Sequence, residues 1–357
     1  MRAMLLSLAL LGCHPGPGED SSQPADTGDT GVHQGVRVPA EWEPHAATWL
    51  QWPKPWEALD REPMARIIAA LLPWEPVVLI VTAEDRTQAE AALRDVGVEP
   101  ADLSWHEAEH DWCWMRDNGP LYVERDGAPV VQDWGFDGWG GLGNPYEHDD
   151  AIPCTVAGWL GLPCEVHDPV IERGTMEFNG VDTLITSWPC LHDRNPDLSR
   201  AELEAEFTEA FGVTRVIWLE RYPHDDLTKG HVDGLARFID AERVVVPRST
   251  DPEDVDAEVF EDAARILGEA GLTVLRMDIP GAVTFRDATM AVEYANWLVT
   301  DQLVLLTGFG EPTWDAAAEA TVAGYFPGRE VRSVEALQLW YDGGGVHCVT
   351  NDQPAVF

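Results

Sequence analysis

Apolar and polar positions follow one recurring order along most of this chain: strand, turn, strand, helix, strand. The order is clearest where Leu235-Ala236-Arg237-Phe238-Ile239 turns at Asp240-Ala241-Glu242-Arg243 into Val244-Val245-Val246. A helical spacing follows near 254–269, and Leu272-Thr273-Val274-Leu275 ends the unit as a strand. The next unit runs Glu293 to Val299, Leu303 to Thr307, a helix near 313–324, then Glu330 to Val334. An earlier one has Met176 to Phe178, Thr183 to Thr186, a helix near 198–211, then Thr214 to Leu219. Looser units span Ala47 to Thr82 and Leu121 to Val166, with an extra helix near 85–96 between them. No residue-level repeat accompanies this, so the repeat is one of topology.

If such units stand around an axis, the segments just before their first strands meet at its centre. Those segments are Glu41-Trp42-Glu43-Pro44-His45, Trp114-Met115-Arg116-Asp117, Ile171-Glu172-Arg173-Gly174, His231-Val232-Asp233 and Tyr294-Ala295-Asn296. Charged and polar side chains therefore recur at one point of each unit. His231 and Asp233, two apart, share a face in an extended segment while Val232 turns away.

A sixth loaded stretch is Asp342-Gly343-Gly344-Gly345-Val346-His347-Cys348, where glycines let a ligand approach the main chain. Cys348 is expected to open a short strand, Cys348-Val349-Thr350, at a cleft where a nucleophile is useful. On such a strand His347 points to the opposite face, so the base must come from elsewhere. A lone cysteine is more often a small buried hydrophobe, and lone carboxylates are more often solvated. Both readings weaken when all these groups fall at equivalent positions of a repeat. A metal held by His231, Asp233, Asp117 and Cys348 is disfavoured, because hard carboxylates and a soft thiolate suit no one common ion.

Charge narrows the partners. With 63 Asp+Glu against 23 Lys+Arg the 357-residue chain carries a net charge of −40. Nucleic acid and anionic membrane surfaces are poor partners, and small cations are good ones. Lys54 and Lys229 are its lysines, and the other basic residues are arginine. At 45% hydrophobic it has material for a sizeable core.

The N-terminus has Arg2, an apolar run from Met4 to Leu11, then Gly12 and Cys13, too short to span a bilayer. Leu10-Leu11-Gly12-Cys13 resembles a bacterial lipobox. Residues 1–13 are thus expected to be a lipoprotein-type signal, 14–35 a disordered tether, and the protein exported and anchored to the cell envelope through a lipid on Cys13. Export would permit a disulfide between Cys154 and Cys164, each preceded by proline. Cys113 and Cys190 have no evident role.

Several stretches, in this order, resemble the agmatine deiminase and Porphyromonas-type peptidylarginine deiminase family of guanidine-modifying enzymes. They are Pro39-Ala40-Glu41-Trp42-Glu43-Pro44-His45 with Trp49 and Trp52-Pro53; Trp114-Met115-Arg116-Asp117-Asn118-Gly119-Pro120; Trp134-Gly135-Phe136 with Gly138-Trp139-Gly140-Gly141; Gly230-His231-Val232-Asp233 with Ala236-Arg237-Phe238; and Gly343 to Cys348. The resemblance implies an α/β fold, a five-bladed pseudo-symmetric propeller of ββαβ modules (the pentein fold), as one catalytic domain over residues 36–357. It implies hydrolysis of a guanidinium to a ureido group and ammonia, with no cofactor or metal. By motif matching Cys348 is the nucleophile, His231 the acid and base, and Asp117 and Asp233 the carboxylates that grip the guanidinium. Trp114, Glu172 and Asn296 match further substrate-binding positions.

The motif spelling favours agmatine, giving N-carbamoylputrescine, whereas the export signal favours an arginyl peptide. The family's usual Glu-Gly-Gly is here Glu172-Arg173-Gly174, and a cation there is expected to reshape or block the pocket. A surface lipoprotein that binds guanidines without turnover is the non-enzymatic alternative.

Overall fold

The computed structural model describes residues 35–355, apart from 142 and 225. Of the expected export signal and tether, all but Gly35 lie outside the described residues.

Five sheets share one strand order, in which the second strand is antiparallel to the first and parallel to the third. One is Met176–Phe178, Thr183–Ser187 and Arg215–Leu219. The next is Arg237–Phe238, Arg243–Ser249 and Thr273–Ile279. Another is Leu298–Val299, Leu303–Gly308 and Glu330–Glu335. A fourth, Leu121–Arg125, Ala128–Gly135 and Cys164–Val170, carries Val36–Arg37 on its edge. Parallel neighbours need a long crossover, and the helices Arg200–Phe211, Ala257–Glu269, Pro312–Tyr325 and Ile152–Leu160 supply it. All six residues of Leu303–Gly308 are buried, as a central strand covered on both faces requires. Arg200–Phe211 starts on a capping box, Ser199 with Glu202, and stops at Gly212 in the left-handed region.

The fifth sheet departs from the sequence expectation. The unit from Ala47 to Thr82 has His45–Gln51, the helix Arg61–Leu71 and Val77–Val81, but its first strand is Asn351–Pro354 from the other end of the fold. Asn351 stands opposite Trp49 and Asp352 opposite Thr48. Cys348 is correspondingly not in a strand: residues 346–349 form a turn that delivers the chain to Asn351. Within it the Thr350 N–H donates to His347 O and the Thr350 hydroxyl donates to Val346 O. Other elements outside the sequence expectation include the strand Ser104–Glu107, the helices Trp188–Arg194 and Leu337–Asp342, and the hairpin Gly281–Phe285 with Ala288–Val292.

An ionic cluster, mostly buried, links residues in or beside all five sheets. The Glu41 carboxylate accepts from Arg237 Nη2 at 3.1 Å, His347 Nε2 at 2.7 Å and the Val299 N–H at 2.8 Å. Arg237 also donates to Glu177 and to the carbonyls of Ala295 and Trp297. Asp352 takes Arg116 Nη1 and Arg173 Nη2, each at 2.8 Å. Arg173 is thereby held on Asp352 and does not block the main cavity, which it does not line, but it borders a small cavity beside Asp117.

Cys154 and Cys164 form a disulfide that joins the helix Ile152–Leu160 to the strand Cys164–Val170. Closing so short a loop should contribute about 2–3 kcal/mol. Replacing both cysteines by serine should lower stability by that amount in urea unfolding, with the wild type matching the variant once reductant is added. Equal midpoints with and without the pair would refute it.

Candidate active site

Cys348 is 9% exposed on the wall of a cavity of about 240 Å³ that His231, Asp233, Glu293 and Asn296 also line. The turn carrying it is tied to two modules. Cys348 O accepts from the Arg116 N–H, Val346 N–H donates to Thr307 Oγ1, and His347 N–H donates to Asn296 Oδ1 at 3.0 Å. That last bond fixes the amide of Asn296, so its Nδ2 faces Cys348 Sγ and Asp233 Oδ2, each at 3.2 Å. Asp233 Oδ2 lies 3.7 Å from the sulfur. A Cβ on Gly344 would lie 2.8 Å from Sγ and 2.7 Å from the Trp114 ring, so only glycine lets the turn pass between them. Trp114 therefore abuts the cysteine turn and is not among the lining residues.

His231 and Asp233 sit in a turn, not an extended strand, yet Val232 packs into the core while both neighbours face the cavity. His231 Nε2 is 3.2 Å from Glu172 Oε2 and its Nδ1 is 3.5 Å from Asp117 Oδ1. Burial opposes charge on the ring, but Asp117 and Glu172 outweigh it and raise His231 to about 9. Glu172 is fully buried beneath the ring, its other oxygen 2.7 Å from Arg194 Nε, and does not line the cavity. Asp117 also stands back from it, on a separate small cavity of about 10 Å³ shared with Arg173. Burial raises Asp117 to about 6, partly offset by His231.

Gly174 makes this packing possible: a Cβ there would lie 2.4 Å from His231 Nδ1 and 2.9 Å from Asp117 Oδ1. Glu172, Cys190 and His231 could together offer a metal three ligand atoms within 4.8 Å of one another, but Arg194 already neutralises Glu172.

Burial raises the Cys348 thiol well above its usual range, and the carboxylates of Asp233 and Asp117 push it further. Asp233 itself stays ionised. Burial works against that, but His347, His231 and Arg237 hold it at about 2.

His347 is a functional neighbour that the strand assumption hid. Its Nδ1 is 2.8 Å from Asp233 Oδ2 and its Nε2 is 2.7 Å from Glu41 Oε2. Two carboxylate oxygens need two N–H groups, so the ring serves both only as imidazolium. Burial, Arg116 and Arg237 lower the ring's affinity for that second proton, and the two carboxylates offset only part of this. Trp139 was also missed: its Nε1 donates to Asp117 Oδ2 at 2.9 Å from a left-handed backbone, φ 64°. A bulky aromatic among glycines, Gly138-Trp139-Gly140-Gly141, was the available signal.

The model of the Porphyromonas-type peptidyl-arginine deiminase family matches residues 37–354. An agmatine deiminase of Pseudomonas aeruginosa is 32% identical over 368 residues, covering 90% of this chain and 96% of that protein. Among solved structures, the agmatine deiminase of Enterococcus faecalis superposes with a TM-score of 0.82 at 26% identity, covering 93% of this chain and 99% of the other. A putative arginine deiminase from Porphyromonas gingivalis gives 0.80 at 28% identity, covering 90% and 99%. The mixed α/β fold is that of these structures, and the chain belongs to the Porphyromonas-type peptidyl-arginine deiminase family.

Proposed function

We propose that this protein hydrolyses a small alkylguanidine, agmatine first among them, to the ureido product and ammonia through a covalent Cys348 intermediate. The observation that carries this is the meeting of a thiol, an ionised Asp233 and a charged His231 on one buried wall. The guanidinium enters against Asp233, with Asp117 adding a second negative charge behind His231. Its charge offsets the carboxylates of Asp233 and Asp117, which with burial oppose ionisation of the sulfur, so the thiol loses its proton to water as substrate binds.

The sulfur then attacks the guanidinium carbon and a C–S bond forms. A nitrogen of the tetrahedral adduct takes the His231 proton and leaves as ammonia, breaking C–N. His231, now neutral, takes a proton from water as its oxygen attacks the same carbon. The remaining hydroxyl proton passes to the sulfur as the C–S bond breaks, releasing the neutral ureido product and the Cys348 thiol. Glu172 and Asp117 keep the ring oriented and restore its proton affinity. With Arg173 held on Asp352, the site keeps room for turnover, which favours an enzyme over a binding lipoprotein.

The same reading includes export and a lipid on Cys13. The Cys154–Cys164 disulfide supports it, since such bonds persist in oxidising compartments.

Three outcomes test this. Cys348→Ala should lose several orders of magnitude in ureido formation from agmatine while remaining folded. Alkylation of wild type by neutral iodoacetamide, corrected for the Ala variant, should be slow near neutrality and rise with pH above the ordinary free-thiol value of about 8.5. Asp117→Asn should shift that curve to lower pH, because it removes a negative neighbour. Rapid reaction at pH 6 with no shift would sink substrate-assisted ionisation.

Gly174→Ala should lower kcat by about 100-fold or more through displacement of His231, with little change in melting temperature. Unchanged kcat would show that His231 has no fixed role. Cells expressing the full gene should incorporate labelled fatty acid at Cys13, and a soluble unlabelled product would remove the anchor.

A further inference from the structure

The cavity extends well past the sulfur. Its lining also includes Leu227, Phe260, Ile279, Met290 and Trp340, which can pack against methylenes but give a charge no partner. One group on the wall departs from this pattern. Glu293 follows the hairpin strand Ala288–Val292 and is 6% exposed. Its Oε2 accepts from the N–H groups of Ala295 and Asn296. Its Oε1 is buried with no donor. A Cβ on Gly234 would lie 3.0 Å from that oxygen, which places it over the backbone next to Asp233.

The other acids on the described wall already have donors. Asp226 accepts from the Thr228 and Gly230 N–H groups, Asp254 from the Asp256 N–H, and Asp256 from the His224 N–H. Asp233 is held by His347 and Asn296. Among the described lining acids, Glu293 is the one with a buried oxygen that no donor reaches. Such an oxygen is costly unless something brings it a donor. Burial, reinforced by the charge of Asp233, raises its carboxyl well above the usual range, so a cation arriving there would relieve both penalties.

We propose that Glu293 is a specificity-determining residue that receives a second cationic nitrogen of the substrate. The preferred substrate is then an alkylguanidine carrying an amine on a short methylene chain. This rests on guanidine hydrolysis at Cys348 and names which guanidine. The reaction discharges the guanidinium end, but the amine keeps its charge and holds the chain through both covalent steps. The methylenes lie against the apolar wall. An arginyl peptide offers Glu293 only neutral amides, so it gains less.

Calorimetry on Cys348→Ala, which binds without turning over, separates the possibilities with two ligands: agmatine and butylguanidine, the same chain without its amine. Agmatine should bind the more tightly of the two. Adding Glu293→Gln should weaken agmatine by about 30-fold or more and butylguanidine by less than about threefold, as loss of a buried charge partner implies. Equal affinity for both ligands before the Glu293 change would overturn the assignment without any need for the second variant. So would equal weakening of both, which would mean that Glu293 acts only by supporting Asn296. Ureido formation by wild type is read separately. Its absence with every guanidine would remove the hydrolytic reading, while the binding difference would still decide the role of Glu293.

Discussion

The structure depends on a carboxylate withdrawn from water. Glu41 receives a guanidinium, an imidazole ring nitrogen and a backbone N–H, and each partner belongs to a different part of the chain. A buried ion is tolerable only when fully partnered, and loss of one partner typically costs about 3–5 kcal/mol. The arrangement therefore has little freedom to drift. Its value is in fixing geometry, because an apolar substitute could fill the same volume but could not hold Arg237, His347 and the Val299 N–H in set directions. His347 carries that geometry outward, since the ring that satisfies Glu41 also sets the position of Asp233 beside the sulfur.

This cluster also explains why the site was partly legible from sequence. Helices and central strands announce themselves through local apolar spacing, and the helices near 254–269, 313–324 and 198–211 appear within a few residues as Ala257–Glu269, Pro312–Tyr325 and Arg200–Phe211. The polar residues before each first strand stood out because a repeat made their positions comparable. What stayed hidden depends on partners distant in sequence. Asn351–Pro354 has no long apolar run of its own and becomes a strand because His45–Gln51 offers it an open edge. The direction of the His347 ring follows from the turn at 346–349, which no alternation rule describes. Arg173 looked obstructive only because Asp352 could not be seen beside it. Glu293 was read as the start of a strand, whereas it stands before a short loop and turns its carboxyl inward.

The acidic composition and the choice of arginine over lysine fit the same picture. Most carboxylates face solvent, but those at the centre require cations that tolerate burial. Arg116, Arg194 and Arg237 are 2%, 6% and 1% exposed. A guanidinium is weakly hydrated and presents several donors in a fixed plane, so it can serve a carboxylate and carbonyls together. Arg237 does so with Glu41, Glu177, Ala295 and Trp297.

The pairing of Asn351–Pro354 with His45–Gln51 has a consequence for biosynthesis. The sheet that begins the fold lacks its edge until residues 351–354 have been made. Contacts between such distant segments form late because they close the longest loop. The sulfur and its clamp therefore need both ends of the fold, and a stalled or truncated polypeptide, however much structure it holds, carries no functional centre.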